Sequence, residues 1–129
     1  MSYQHAVVWI DHLRAVVIDF SIDKENVHLV ESNTEHRQIH RKAKSLGSGK
    51  AEEDHDFFDD VVAAIGNARE VLVVGPGMTK TTFVKDLEHR HPAVSKLVVA
   101  VETADHPQLD QLLTYARKYF RKVDNLRGV

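Results

Sequence analysis

Glu70-Val-Leu-Val-Val-Gly-Pro-Gly-Met-Thr-Lys80 is the stretch that decides the fold. Glu70 to Val74 is a continuous apolar, β-branched run, short and uninterrupted, which predicts a strand buried on both faces. Gly75-Pro76-Gly77 breaks the run. From Thr79 to His89 the period changes: Phe83, Val84 and Leu87 fall at helical spacing, and His91-Pro92 closes the segment. Lys96 to Glu102 (KLVVAVE) is again a buried strand. Pro107 to Val123 then carries Leu109, Leu112, Leu113, Ala116, Tyr119 and Phe120 as a helical stripe. Strand, helix, strand, helix in this order predicts two parallel strands joined by right-handed crossovers.

Working toward the N-terminus, His5 to Asp11 (HAVVWID) and Arg14 to Ser21 (RAVVIDFS) read as strands with only His12 and Leu13 between them, a tight hairpin. Asn26 to Glu31 (NVHLVE) reads as a third strand after the turn Ser21 to Glu25, completing an antiparallel meander. Helical spacing resumes at Phe57, Phe58, Val61, Val62 and Ile65. Ser48 is offered as the N-cap, the acids after it as partners of the helix dipole, and Gly66-Asn67 as the stop. The order is β-β-β-α-β-α-β-α. It predicts a single-domain α/β protein over 1–129, with parallel strands beside the meander in one mixed sheet, the ribonuclease H-like layout.

Composition narrows the class. A chain of 129 residues buries a core without staples. It has no cysteine, hence no disulfide, thiolate metal site or thiol nucleophile, which fits a reducing cytoplasm. The start Met1-Ser2-Tyr3-Gln4-His5 lacks a signal-peptide pattern, and no apolar stretch approaches a membrane span. A net charge of −2 argues against a protein that coats nucleic acid with its whole surface, but leaves room for a local basic patch.

That patch is concentrated by placement. His36 to Lys50 contains no acid and holds Arg37, His40, Arg41, Lys42, Lys44 and Lys50; Glu52 to Asp60 contains no base except His55. The basic part falls in a long loop, Ser32 to Gly49, between the third strand and the first helix. Loops of this length in compact domains are usually functional. Its cations suit phosphates, and Gly47 and Gly49 permit close backbone approach. The same charges also suit a solvated loop paired with the acidic helix face.

Three smaller features complete the survey. Gly75, Gly77 and Lys80 stand where a strand meets a helix N-terminus and suit an anion, although the spacing is not that of a Walker A motif; a tight turn needing glycine φ angles explains them equally. Asp11, Glu102, Asp105 and His106 fall at strand ends, where carboxylates of a metal-dependent nuclease or hydrolase would gather. Asp105 and Pro107 equally suit the cap and first turn of the last helix. No His, Cys or Glu spacing forms a zinc motif, and no metal or cofactor is expected. Arg117, Lys118, Arg121 and Lys122 make a second basic region. Trp9 and Phe20 read as core, and of the adjacent Phe57 and Phe58 only one is expected to point fully inward.

Together the hairpin His5-Ala-Val-Val-Trp-Ile-Asp-His-Leu-Arg14, the basic loop, Gly75-Pro-Gly-Met-Thr-Lys80 and Val101-Glu-Thr-Ala-Asp-His-Pro107 carry a resemblance. Over nearly its full length the chain resembles the middle domain of class I peptide-release factors and Pelota-type ribosome-rescue factors. It is most similar to small bacterial translational machinery proteins of that superfamily. In release factors the equivalent loop carries Gly-Gly-Gln, which enters the peptidyl transferase centre. Here it reads His40-Arg-Lys-Ala-Lys-Ser-Leu-Gly-Ser-Gly-Lys50, basic but without that motif. The resemblance therefore implies a contact with the ribosome, ribosomal RNA or tRNA in a stalling, rescue or stress role, rather than the hydrolytic reaction. A homodimer formed through a strand edge or the last helix is the remaining expectation.

Overall fold

A computed structural model describes residues 5–32 and 48–126 of the chain. Its strands are β1 (His5–Ile10), β2 (Arg14–Phe20), β3 (Glu25–Glu31), β4 (Glu70–Gly75) and β5 (Val98–Thr103). Its helices are α1 (Ser48–Ile65), α2 (Thr79–Arg90), the single turn α3 (Pro92–Ser95) and α4 (Leu109–Leu126). The strands form one sheet in the order β3-β2-β1-β4-β5. β1 pairs antiparallel with β2, from His5 opposite Phe20 to Ile10 opposite Ala15, and parallel with β4, from His5 opposite Glu70 to Trp9 opposite Val74. β2–β3 is antiparallel and β4–β5 parallel, with a register irregularity beside Val71 and Leu72. The mixed sheet expected from the order of elements is therefore present.

The central place of β1 explains its composition. Ala6, Val8 and Ile10 face the α1–α2 side, packed with Val17, Val61, Val71, Val73, Phe83 and Leu87; Val7 and Trp9 face α4, with Ile18, Leu72, Val74, Leu112, Ala116 and Phe120. A strand covered on both faces has no polar position, so it reads as a run rather than an alternation. Each such side chain contributes about 1.5–3 kcal/mol by leaving water. β3, at the sheet edge, is half covered and keeps its alternation.

Three expectations are corrected and one, the stop at His91-Pro92, is met and extended. Phe57 and Phe58 are both buried, at 1% and 2% exposure. α1 touches β2 and β3 on one side and α2 on another, so two directions on the helix are interior, and Phe58 meets Phe83 edge-on at 5.3 Å. The first turn of α1 holds no acid, so the acidic run begins beyond the reach of the helix dipole. His91-Pro92 ends α2, but Pro92 also opens α3, where a residue without an N–H is tolerated. α4 begins at Leu109, not at Pro107. Its entry is held by Gln111 Oε1, which accepts from the Gln108 N–H at 3.0 Å, half of a capping box. The stop at Gly66 behaves as expected, with φ of 61°. Among the described residues no helix is long and apolar enough to cross a membrane.

Candidate functional site at the carboxyl end of the sheet

β1, β4 and β5 run parallel, and β3 runs with β1 because each is antiparallel to β2. Their carboxyl ends therefore share one edge of the domain. The tip of the first hairpin, the Gly75 turn, the β5–α4 junction and the residue at which the basic stretch leaves β3 all meet there. Ser32 is 5% exposed, and its N–H donates to the Leu13 carbonyl at 3.0 Å, fastening the root of the loop against the hairpin tip.

Asp11 holds that tip. Its Oδ1 accepts from the N–H groups of Leu13 and Arg14, both at 2.9 Å, and its own N–H donates to the Arg14 carbonyl at 3.0 Å. This is an Asx turn, so one carboxylate oxygen is committed to the backbone. The other, Oδ2, lies 3.6 Å from His106 Nε2, while His106 Nδ1 donates to Asp105 Oδ1 at 2.9 Å. The imidazole thus stands between two carboxylates, and its ring lies 4.9 Å from the Trp9 ring. Trp9 Nε1 donates to the Asp105 carbonyl at 2.6 Å, tying the β5–α4 junction to the central strand.

Asp11, Asp105 and His106 are therefore brought together. Glu102 pairs with Val74 on the Trp9 face of the sheet and makes no ion pair among the described residues. Among those residues no group of three or more His, Asp or Glu side chains is placed to hold a metal ion. Asp105 is not the cap of α4: its carboxylate is 95% exposed and its carbonyl serves Trp9.

The Gly75–Lys80 segment is built for close packing. A Cβ on Gly75 would stand 2.2 Å from the Ile10 carbonyl oxygen, whereas one on Gly77 would meet nothing within 4 Å. Neither residue has a positive φ. The glycine is required by the approach of β4 to β1, not by turn geometry. Lys80 is only 9% exposed, and its ammonium donates to the Gly77 carbonyl, closing the turn on itself. In the second basic region, Arg117 Nη2 donates to the carbonyls of Ser21 and Lys24 and pairs with Glu25, each at 3.2 Å. It secures the β2–β3 turn and leaves Lys118, Arg121 and Lys122 exposed.

Of the loop residues, Arg37, His40, Arg41, Lys42 and Lys44 lie outside the described residues, and Lys50 falls in the first turn of α1. The helix that follows the loop is clamped to α2. Arg90 Nη2 pairs with Asp59 Oδ1 at 2.7 Å and Asp86 Oδ2 at 2.8 Å, and also donates to the His55 carbonyl at 3.1 Å. His91 donates to Asp59 at 2.8 Å. Hydrogen bonds first from Arg90 and then from His91 hold the Asp59 carboxyl below its ordinary range. The bonds to Asp86 and then Asp59 raise the pKa of the Arg90 guanidinium in turn. This ion-pair clamp was not foreseen from the sequence. Its nearest signal is the Asp86–Arg90 spacing of four on one helix.

No protein-family model matches the chain, and no curated protein does. Solved structures do. Archaeoglobus fulgidus Pelota superposes with a TM-score of 0.65 at 18% identity, over 99% of this chain and 34% of that one. Thermoplasma acidophilum Pelota gives 0.54 at 16% identity, over 84% and 30%. An archaeal translation termination factor, aRF1, gives a weaker 0.48 at 14% identity, over 96% and 41%. The chain thus spans about a third of the length of the Pelota proteins it matches, and what it shares with them is the fold of one such part.

Proposed function

We propose that this protein is a translation-associated, non-catalytic ribosome- or tRNA-binding protein acting in the cytoplasm, with a stalling, rescue or stress role. In this reading it is a ribonuclease H-like domain of the release-factor and Pelota middle-domain type, and it contacts RNA through the basic loop 36–50. The observation that carries the proposal is the Pelota fold over 99% of the chain, combined with the acid-free basic stretch 36–50 that follows Glu35 after β3. Two features support it further: the loop leaves the carboxyl end of the sheet from a buried, hydrogen-bonded Ser32, and its far side runs into a helix clamped by Arg90. Cations that face phosphates gain affinity through counterion release. Replacing Arg41, Lys42 and Lys44 with Glu should abolish co-sedimentation with ribosomes at moderate salt. Retained co-sedimentation would refute the assignment.

A second reading is a metal-dependent hydrolase on Asp11, Glu102, Asp105 and His106; Asp11, Asp105 and His106 stand together, although no three such groups are placed to hold a metal ion among the described residues. It requires Mn²⁺-stimulated RNA cleavage that Asp11→Asn removes; absence of metal binding at millimolar concentration would dismiss it.

A further inference from the structure

Gln111, Tyr115, Lys118 and Lys122 recur along α4 at spacings of four, three and four, so they share one stripe of the helix. All four are exposed, and Arg121 flanks the stripe. At its N-terminal end is a cleft of about 440 Å³, lined in part by Asp105, His106, Pro107, Gln111, Leu112 and Tyr115. Leu112 is buried and supplies an apolar floor, Tyr115 is 44% exposed, and the His106 ring is fixed against Trp9. Among the described residues no lysine or arginine lines the cleft, and the Asp105 carboxylate is its only acid. The cleft therefore suits a flat, neutral group that donates hydrogen bonds, not a phosphate. Beyond it the stripe turns basic. Lys118 and Lys122 follow Tyr115 by about 4.5 and 10.5 Å along the helix axis.

We infer that this face binds single-stranded RNA, with one base, guanine by preference, entering the cleft while the adjoining phosphates follow Lys118, Arg121 and Lys122. Aromatic faces accept any base by stacking, and Tyr115 and His106 provide two. An ionised carboxylate only accepts hydrogen bonds. Asp105 Oδ1 is engaged by His106, the carboxylate at the cleft is 95% exposed and so open to a donor, and guanine presents adjacent N–H donors on its pairing edge where adenine presents one beside an acceptor. The lysines then supply the electrostatic part of the affinity. The residues named for this face all belong to α4 and the β5–α4 junction, so the inference stands apart from the reading of the basic loop.

Trp9 is the sole tryptophan, touches both Asp105 and His106, and reports on the cleft. The full chain, titrated with the oligoribonucleotides UUGUU and UUAUU, should show saturable quenching of Trp9, several-fold tighter with UUGUU. Tyr115→Ala should weaken binding about tenfold. Asp105→Asn should erase the guanine preference. The double change Lys118→Glu and Lys122→Glu should lower the slope of log affinity against log salt by about 1.4. The loop variant with Arg41, Lys42 and Lys44 replaced by Glu should bind the pentanucleotide as wild type does, even where it loses the ribosome. Lack of saturable quenching would overturn the inference, and so would a folded Tyr115→Ala protein with wild-type affinity. Displacement by oligoglutamate as effective as by RNA would assign the face to an acidic protein and overturn it equally.

Discussion

The two strand-to-helix junctions at the carboxyl end of the sheet differ in what they do. Between β4 and α2 the chain turns against Ile10, buries Lys80 and closes the Lys80 ammonium on the Gly77 carbonyl. Between β5 and α4 it stays open: Ala104 donates to the Gly75 carbonyl at 3.0 Å, Asp105 offers its carbonyl to Trp9, and the side chains of Asp105 and His106 remain exposed. The glycine-rich junction has the sequence of an anion site and the structure of a packing device. The Asp-His-Pro junction has the sequence of a helix cap and the structure of a cleft wall. A motif's composition shows what its backbone permits, whereas its neighbours decide whether its polar groups are free for a ligand.

This contrast can be broken by substitution. Gly75→Ala should have the largest effect, about 3 kcal/mol of lost stability in urea unfolding, because the new methyl meets backbone that cannot yield. Arg90→Ala should cost about 2 kcal/mol, since it leaves Asp86, whose side chain is 8% exposed, with only His55 at 3.4 Å among the described partners, and removes the guanidinium link between α1 and α2. The same clamp sets a pH dependence. A carboxyl whose pKa is depressed on folding adds stability above its ordinary value of 3.8, and this is lost as pH falls through the folded value. Unfolding midpoints measured between pH 5 and pH 2 should therefore fall less steeply in Asp59→Asn than in wild type. Trp9→Phe should cost about 1 kcal/mol by removing the N–H that holds the open junction, and should raise hydrogen exchange at Asp105 to Gln108. Gly77→Ala should be the mildest, within about 0.5 kcal/mol by thermal melting; a large loss there would show that the closed junction needs both glycines.

Much of the fold was legible because periodicity reports burial. The runs at His5, Arg14, Glu70 and Lys96 became β1, β2, β4 and β5, and the stripe Leu112, Ala116, Phe120 became the buried face of α4. Boundaries moved where tertiary contacts reached in. α4 starts late because Asp105 is held by Trp9, and two adjacent phenylalanines are buried because α1 lies between a sheet and a helix. The candidate site was legible only in part. Asp11 and His106 were singled out from their strand ends, but Tyr115 and Gln111 were not singled out, and Arg117, counted in the second basic region, is engaged by the β2–β3 turn.

By itself the sequence determined the five strands and the three long helices, the parallel pairing of the last two strands and the placement of positive charge at the β3–α1 connection. These depend on local periodicity and on charge along the chain. Only the tertiary structure decided which cations are engaged internally, why Gly75 must be glycine, and that Trp9, Asp11, Asp105 and His106 meet. Those outcomes depend on distances between residues up to 96 positions apart, as Trp9 and Asp105 are, and no local pattern encodes such distances.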